Sequence, residues 1–190
     1  MRLERRAAMA TLLAQRGDDL LVVPGLGSTC WDLAAAGDND RNFYLWGAMG
    51  GAAMIGLGLA LAQPARRVAV VTGDGEMLMG LGALATIAVQ QPKNLAVIVF
   101  DNGVYGETGM QASHTQGGRV DFVAAARACG IPTCLDVADE AGLDDLAARL
   151  KALEGPLFAR VAIDPAEPPR VLPERDGEAL KKRFRAAIGL

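Results

Sequence analysis

Positive charge is in short supply in this chain of 190 residues: 19 lysines and arginines stand against 22 aspartates and glutamates, a formal net charge of −3. That balance gives no electrostatic footprint for nucleic acid or for an anionic membrane surface, and neither is expected as a partner. Aromatic residues make up only 5% of the chain, and it has one histidine, His114. Cysteine is also sparse. Cys30, Cys129 and Cys134 are odd in number and lack the spacing of a metal-binding or redox pair, so they read as reduced, buried thiols of a cytoplasmic protein. Long apolar runs are missing too. The longest, AMGGAAMIGLGLALA at 48–62, is rich in glycine and falls short of the ~18–20 residues that cross a bilayer. The opening MRLERRAAMATLLAQRG is interrupted by Arg5, Arg6, Gln15 and Arg16, so it reads as an amphipathic helix closed by Gly17 and not as a targeting signal.

What the chain does have is small and aliphatic residues: 51% are hydrophobic, and 23 are glycine. Short apolar runs alternate with helical patterns. Strands are expected at 19–23, 42–46, 67–72, 94–100, 133–137 and 156–163, and helices at 28–37, 50–62, 77–90, 121–130 and 142–155. Most of the strand runs are apolar throughout instead of alternating, which marks strands buried on both faces. The fold class that follows is α/β: a doubly wound, mostly parallel sheet of about six strands with helices on both faces. Residues 1–170 read as one domain, 164–173 as a proline-rich strap, and 171–190 as an extension forming one surface helix.

Ligands of such sheets bind beyond the carboxyl ends of the strands. Four of those ends carry unusual residues: PGLGST (24–29), WGAMGG (46–51), TGDGE (72–76) and DNGVYGETG (101–109). Gly73 and Gly75 let the backbone approach a ligand closely, and a helix starting near Glu76 turns free amides toward an anion. Asp74, between the glycines, would repel a phosphate unless a divalent cation lay between them. Asn102 adds a neutral oxygen from the next strand end. Oxygen donors of this kind suit Mg²⁺ that also holds phosphate oxygens. Either turn alone is simply a tight turn; the pair at successive strand ends points to a clamped diphosphate.

Asp74 and Asn102 lie 28 positions apart in a strand–GDG–helix–strand–Asn arrangement. This resembles the diphosphate-binding domain of thiamin diphosphate enzymes. The similarity runs over about residues 8–163, and NLAVIVFDNGVYGETG in particular is similar to sulfopyruvate decarboxylase β subunits and to the corresponding half of phosphonopyruvate decarboxylases. The resemblance implies thiamin diphosphate and Mg²⁺ as cofactors, with Asp74, Asn102 and the Val104 carbonyl as metal ligands. It implies that the Gly47 carbonyl receives the aminopyrimidine and that Met49 wedges under the cofactor. Ser28 and Thr29 would offer hydroxyls to the diphosphate, and Gly73, Gly75, the Glu76 amide and Tyr105 would complete the cofactor-binding set.

The chain departs from this pattern at Glu76, where close relatives usually carry serine. Its amide is expected to serve the ligand while the carboxylate turns away. Glu107, Thr108, Gln111 and His114 are positioned to face a substrate, and Glu107, Thr108 and His114 are the catalytic candidates. Arg41 and Arg119 are the cations of the strand-end loops. The implied reaction is decarboxylation of a small 2-oxo acid. The glutamate that activates the aminopyrimidine would come from a separate pyrimidine-binding α subunit, in a homo- or hetero-oligomer. A thiamin diphosphate-dependent carboligase of the acetolactate synthase type and a non-catalytic subunit of the same fold remain alternatives at this level. A nucleotide-binding module is disfavoured, because GLGSTC and GEMLMGLG lack the third glycine and the Lys-Ser/Thr pair, respectively.

Overall fold

The computed structural model describes residues 2–190. In chain order the elements are α1 (Arg5–Leu13), β1 (Leu20–Pro24), α2 (Ser28–Ala35), α3 (Ala52–Ala62), β2 (Arg67–Gly73), α4 (Asp74–Met79), α5 (Ala83–Gln90) and β3 (Leu95–Asp101). There follow a small ribbon of β4 (Val104–Tyr105) and β5 (Gln111–Ala112), then α6 (Phe122–Cys129), β6 (Thr133–Val137), α7 (Glu140–Lys151), β7 (Leu157–Ala162) and α8 (Gly177–Ala187). Carboxylates start several helices: Asp121 accepts the Ala124 amide at 2.9 Å, and Asp139 accepts that of Gly142 at 2.9 Å.

The main sheet is parallel, in the order β1-β2-β3-β7-β6. Its side chains alternate between two cores. Val22, Ala69, Ala96 and Leu157 share one row of the register and pack beneath α1, α2 and α7. Their neighbours Val23, Val70, Val97 and Phe158 face α3, α5 and α6 on the other side. Both faces are therefore covered, which is why these strands carry no polar alternation. Gly56 lets α3 lie directly on the sheet, since a Cβ there would stand 2.1 Å from a methyl of Val70.

Two elements differ from expectation. Residues 42–46 form no strand, so the sheet has five strands and not about six. Instead the chain crosses the β1 edge once: Val22 donates its amide to Arg41 O at 3.0 Å and receives that of Phe43 at 2.8 Å. The helix expected at 77–90 is two helices. Gly80 breaks it, because a Cβ there would meet the Gly50 carbonyl at 2.2 Å, and the chain turns before α5 begins. The cysteines are all free, but only Cys30 is buried; Cys129 is exposed and Cys134 half-buried. The tail helix α8 inserts Leu180 into one core and Phe184 into the other.

Candidate active site

The carboxyl ends of β1, β2, β3 and β7 open into one cleft, lined by Ser28 and Thr29, Asp74 and Glu76, Asn102 and Val104, and Ile163 in that order. Asp74 is the first residue of α4 and only 3% exposed. Its Oδ2 accepts the hydroxyl of Ser113, and the Thr115 oxygen lies 3.3 Å from it; no side-chain donor reaches Oδ1 among the described residues. Thr115 also donates to Asp101 Oδ1 at 2.7 Å, and Asp101 Oδ2 is paired with Arg160 Nε at 2.6 Å. Burial pushes the Asp74 carboxyl above the usual carboxylate range; the Ser113 hydroxyl opposes this and the Asp101 charge adds to it. A cation at this carboxylate would relieve both costs.

Asn102 is buried beside it. Its side-chain oxygen accepts the Val104 amide at 2.9 Å, and its carbonyl accepts Arg2 Nη1 at 2.9 Å. Gly103 turns the chain at φ 76, and its carbonyl receives the Ser113 amide at 2.8 Å, so the loop returns Ser113 and Thr115 to Asp74. Gly73 faces open space: a Cβ added there would meet nothing within 4 Å. No group of three or more His, Cys, Asp or Glu side chains suits a metal among the described residues. The donor set is instead one carboxylate, one amide oxygen and backbone carbonyls beside a glycine-lined gap. It fits Mg²⁺ that takes its remaining ligands from a diphosphate and water.

The other candidates fall into two groups. Ser28 lines the cleft with no partner for its hydroxyl among the described residues, whereas that of Thr29 is spent on the Gly25 carbonyl at 2.9 Å. Gly47 and Met49 lie on an exposed turn in which Ala48 holds a left-handed φ of 62°; Met49 is 58% exposed and lines the cleft. Glu76 points inward: it is 8% exposed, Oε2 accepts the Leu26 amide at 2.9 Å and the Thr72 hydroxyl at 2.8 Å, and Oε1 is buried without a partner. Its carboxylate thus occupies the loop after β1 and does not turn out to solvent. Near it, burial pushes the Cys30 thiol up to about 12.

Tyr105, Glu107 and Thr108 also line the cleft. The Thr108 hydroxyl lies 3.0 Å from Gln111 Oε1, and Glu107 is drawn toward Arg170 at 3.7 Å. Burial raises the Glu107 carboxyl, with Arg170 opposing. His114 does not line the cleft; it meets it through Tyr105, whose hydroxyl lies 2.9 Å from His114 Nδ1. Arg41 pairs with Asp18 at 3.3 Å, and Arg119 is exposed on the loop before α6. Sequence reasoning passed over Ser113, Thr115 and Arg5. Hydroxyls in a loop and an arginine in an amphipathic helix carry no local signal of the site they join.

A parallel α/β sheet whose Gly-Asp-Gly and Asp-Asn-Gly turns meet at adjacent strand ends defines a class of diphosphate-binding domain. Comparison with known proteins makes this specific. The chain belongs to the thiamine pyrophosphate enzymes, of which it is the C-terminal TPP-binding domain; the family model matches residues 28–161. It is 41% identical to a phosphonopyruvate decarboxylase of Streptomyces viridochromogenes over 97% of this chain and 46% of that protein, so it spans about half of that relative's length. It is 37% identical to sulfopyruvate decarboxylase subunit beta of Methanothermobacter thermautotrophicus, over 97% of this chain and 95% of the subunit. Among solved structures, a Mycobacterium smegmatis protein assigned as a thiamin diphosphate-dependent enzyme aligns with a TM-score of 0.71 and 25% identity, over 86% of this chain and 32% of that one.

Proposed function

We propose that this chain is the diphosphate-binding subunit of a two-subunit, thiamin diphosphate- and Mg²⁺-dependent decarboxylase acting on a small 2-oxo acid of the sulfopyruvate or phosphonopyruvate type. The observation that carries this reading is the meeting of Asp74 and Asn102 at neighbouring strand ends beside the open face of Gly73. The names of the two decarboxylase relatives support the substrate class. Bound thiamin diphosphate supplies a nucleophilic carbon and an electron sink for loss of carbon dioxide.

The chain's own residues have distinct tasks in this reading. Asp74, Asn102 and the Val104 carbonyl hold the metal, and Ser113 and Thr115 fix the Asp74 carboxylate. Gly73, Gly75, Ser28 and the α4 amides receive the diphosphate. Met49, on its exposed turn, supports the cofactor rings, and Gly47 offers its carbonyl. Glu107 and Thr108 face the substrate from the outer wall, and His114 positions Tyr105. A partner subunit covers the cleft and supplies the activating glutamate. Its place is supported by the exposed Met49 and Met79 at the cleft and by Met54 and Leu61 on α3. The named "subunit beta" of the Methanothermobacter relative accords with this. The cofactor unit is residues 1–170, with 171–190 an extension. No helix is long and apolar enough to cross a membrane among the described residues, and the three free cysteines support a cytoplasmic setting.

The test is calorimetric titration of thiamin diphosphate with Mg²⁺ into the chain, alone and with a candidate α subunit. Magnesium-dependent binding that disappears in Asp74→Ala is expected, tightening when the partner is present. Absence of binding in both formats would overturn the assignment.

A further inference from the structure

The N-terminal helix brings to the cleft a charge that none of the strand-end motifs announces. Arg5 is the first residue of α1, only 4% exposed, and lines the cleft near Ser28, Phe100 and Ile163. Its Nε donates to Asp32 Oδ2 at 2.7 Å, and that is its one side-chain hydrogen bond among the described residues. Among the described residues the two terminal nitrogens bond no protein atom, and they are not fully sealed as Arg6 Nε is. A guanidinium carries five donors in a planar fork. Burying one with so few of them satisfied costs several kcal/mol unless a further acceptor is supplied. Asp32, itself buried, tethers the fork by one side, and Arg5 and Ser28 together line both the cleft and a small cavity adjoining it.

The surroundings of that edge are of mixed charge. Ser28 opens α2 with a free hydroxyl, and the first turn of this eight-residue helix adds its partial positive charge. Two of the protein's own carboxylates already stand at the same loop. Glu76 occupies the Leu26 amide at 2.9 Å, and Glu107 lies against Gly27, where a Cβ would be 2.9 Å from its Oε1. Glu107 sits on a single turn, and its other oxygen is drawn to Arg170 at 3.7 Å.

We propose that the outer edge of Arg5 and the hydroxyl of Ser28 form a subsite for a tetrahedral oxyanion. This rests on the functional reading above, which offers two sources of that chemistry: the terminal phosphate of the cofactor, or the sulfonate or phosphonate group of the substrate. Asp32 is a positioning residue that keeps the fork presented.

The experiment compares the full wild-type chain with Arg5→Lys and Ser28→Ala. Arg5→Lys keeps the charge but loses the fork, and Ser28→Ala leaves the buried ion pair intact. Thermal melting first establishes that each variant is folded. Inorganic pyrophosphate is then titrated without Mg²⁺ and followed by ³¹P NMR, and thiamin diphosphate with Mg²⁺ by calorimetry. Binding weaker by about tenfold in both variants, the loss of one charge-assisted hydrogen bond, supports the subsite and assigns it to the cofactor phosphate. Unchanged cofactor binding in Arg5→Lys, with an about tenfold loss of preference for phosphonopyruvate over pyruvate in the partnered enzyme, supports the subsite and assigns it to the substrate. Folded variants that match wild type in pyrophosphate binding, cofactor binding and substrate preference overturn it. A wild-type chain that binds pyrophosphate through Arg5 but takes no thiamin diphosphate, alone or partnered, would overturn the functional reading and leave the subsite standing.

Discussion

The ring of Tyr105 lies directly on the backbone of Gly75: a Cβ built on that glycine would stand 2.7 Å from two ring carbons. This contact joins the turn after β2 to the turn after β3. The same tyrosine passes its hydroxyl on to His114 at 2.9 Å, so one aromatic ring connects the diphosphate side of the cleft to its outer loop.

Gly75→Ala is therefore expected to destabilise the protein by about 1–3 kcal/mol, the usual cost of overpacking, and to weaken thiamin diphosphate binding. Adding Tyr105→Ala should recover part of the lost stability, because the clash is with the ring and not with backbone. A double-mutant cycle by chemical denaturation measures the coupling. Additive losses would place the defect in the Gly75 backbone instead.

Glu76→Ser should act in opposite directions on binding and on stability. It removes a buried carboxylate from the cleft wall and frees the Leu26 amide for an external anion. At an effective dielectric near 20, like charges a few ångströms apart repel by a few kcal/mol, so cofactor affinity should rise by at least about tenfold. Loss of the bonds to Leu26 and Thr72 should cost the fold about 1 kcal/mol. Calorimetry and thermal melting on the same samples separate the two effects.

A third expectation concerns acid. Arg67 grips Asp19 through two bonds, at 2.6 and 2.5 Å, and also holds the carbonyls of Arg16 and Leu150. The Arg67 hydrogen bond holds the Asp19 carboxyl below the usual carboxylate range against a small cost of burial. A depressed folded pKa contributes stability above the unfolded value of about 3.9, and that stability is lost as pH falls through the folded value. Asp19→Asn should flatten the stability profile in that acid window and be less stable than wild type at neutral pH. The side chain is half exposed, so the effect should be small and weakened by salt. Urea melts from pH 2 to 7 measure it.

The legibility of the sequence follows what each segment depends on. β2 and β3 are readable because burial on both faces removes every polar residue from their middles. Asp74 and Asn102 are readable because glycines beside a polar residue at a strand end need an explanation beyond the turn. Residues 42–46 are not, since an aromatic run looks the same whether it pairs fully or only covers an edge. The break at Gly80 depends on Gly50, far away in the chain, while the apolar pattern continues past it. Ser113 and Thr115 become visible only once the loop carries them back to Asp74. Arg5 looks like a polar interruption in a helix until Asp32 is seen to hold it from behind.

The tail helix has a consequence for how the molecule opens. Phe184 of α8 packs against Phe43 with ring centres 5.0 Å apart and planes tilted by 56°, Arg183 pairs with Asp38 at 2.7 Å, and the Glu174 carbonyl accepts the Trp46 indole at 2.9 Å. The segment they hold, residues 38–46, runs straight into the turn that presents Met49. Detachment of α8 would uncover that stretch on its outer side and leave its inner bonds to Val22 and Arg16 in place. The amides of α8 should therefore exchange first, ahead of those of Asn42 and Phe43 and of the central strands. Whatever clamps the far end of the chain also steadies the methionine at the mouth of the cleft.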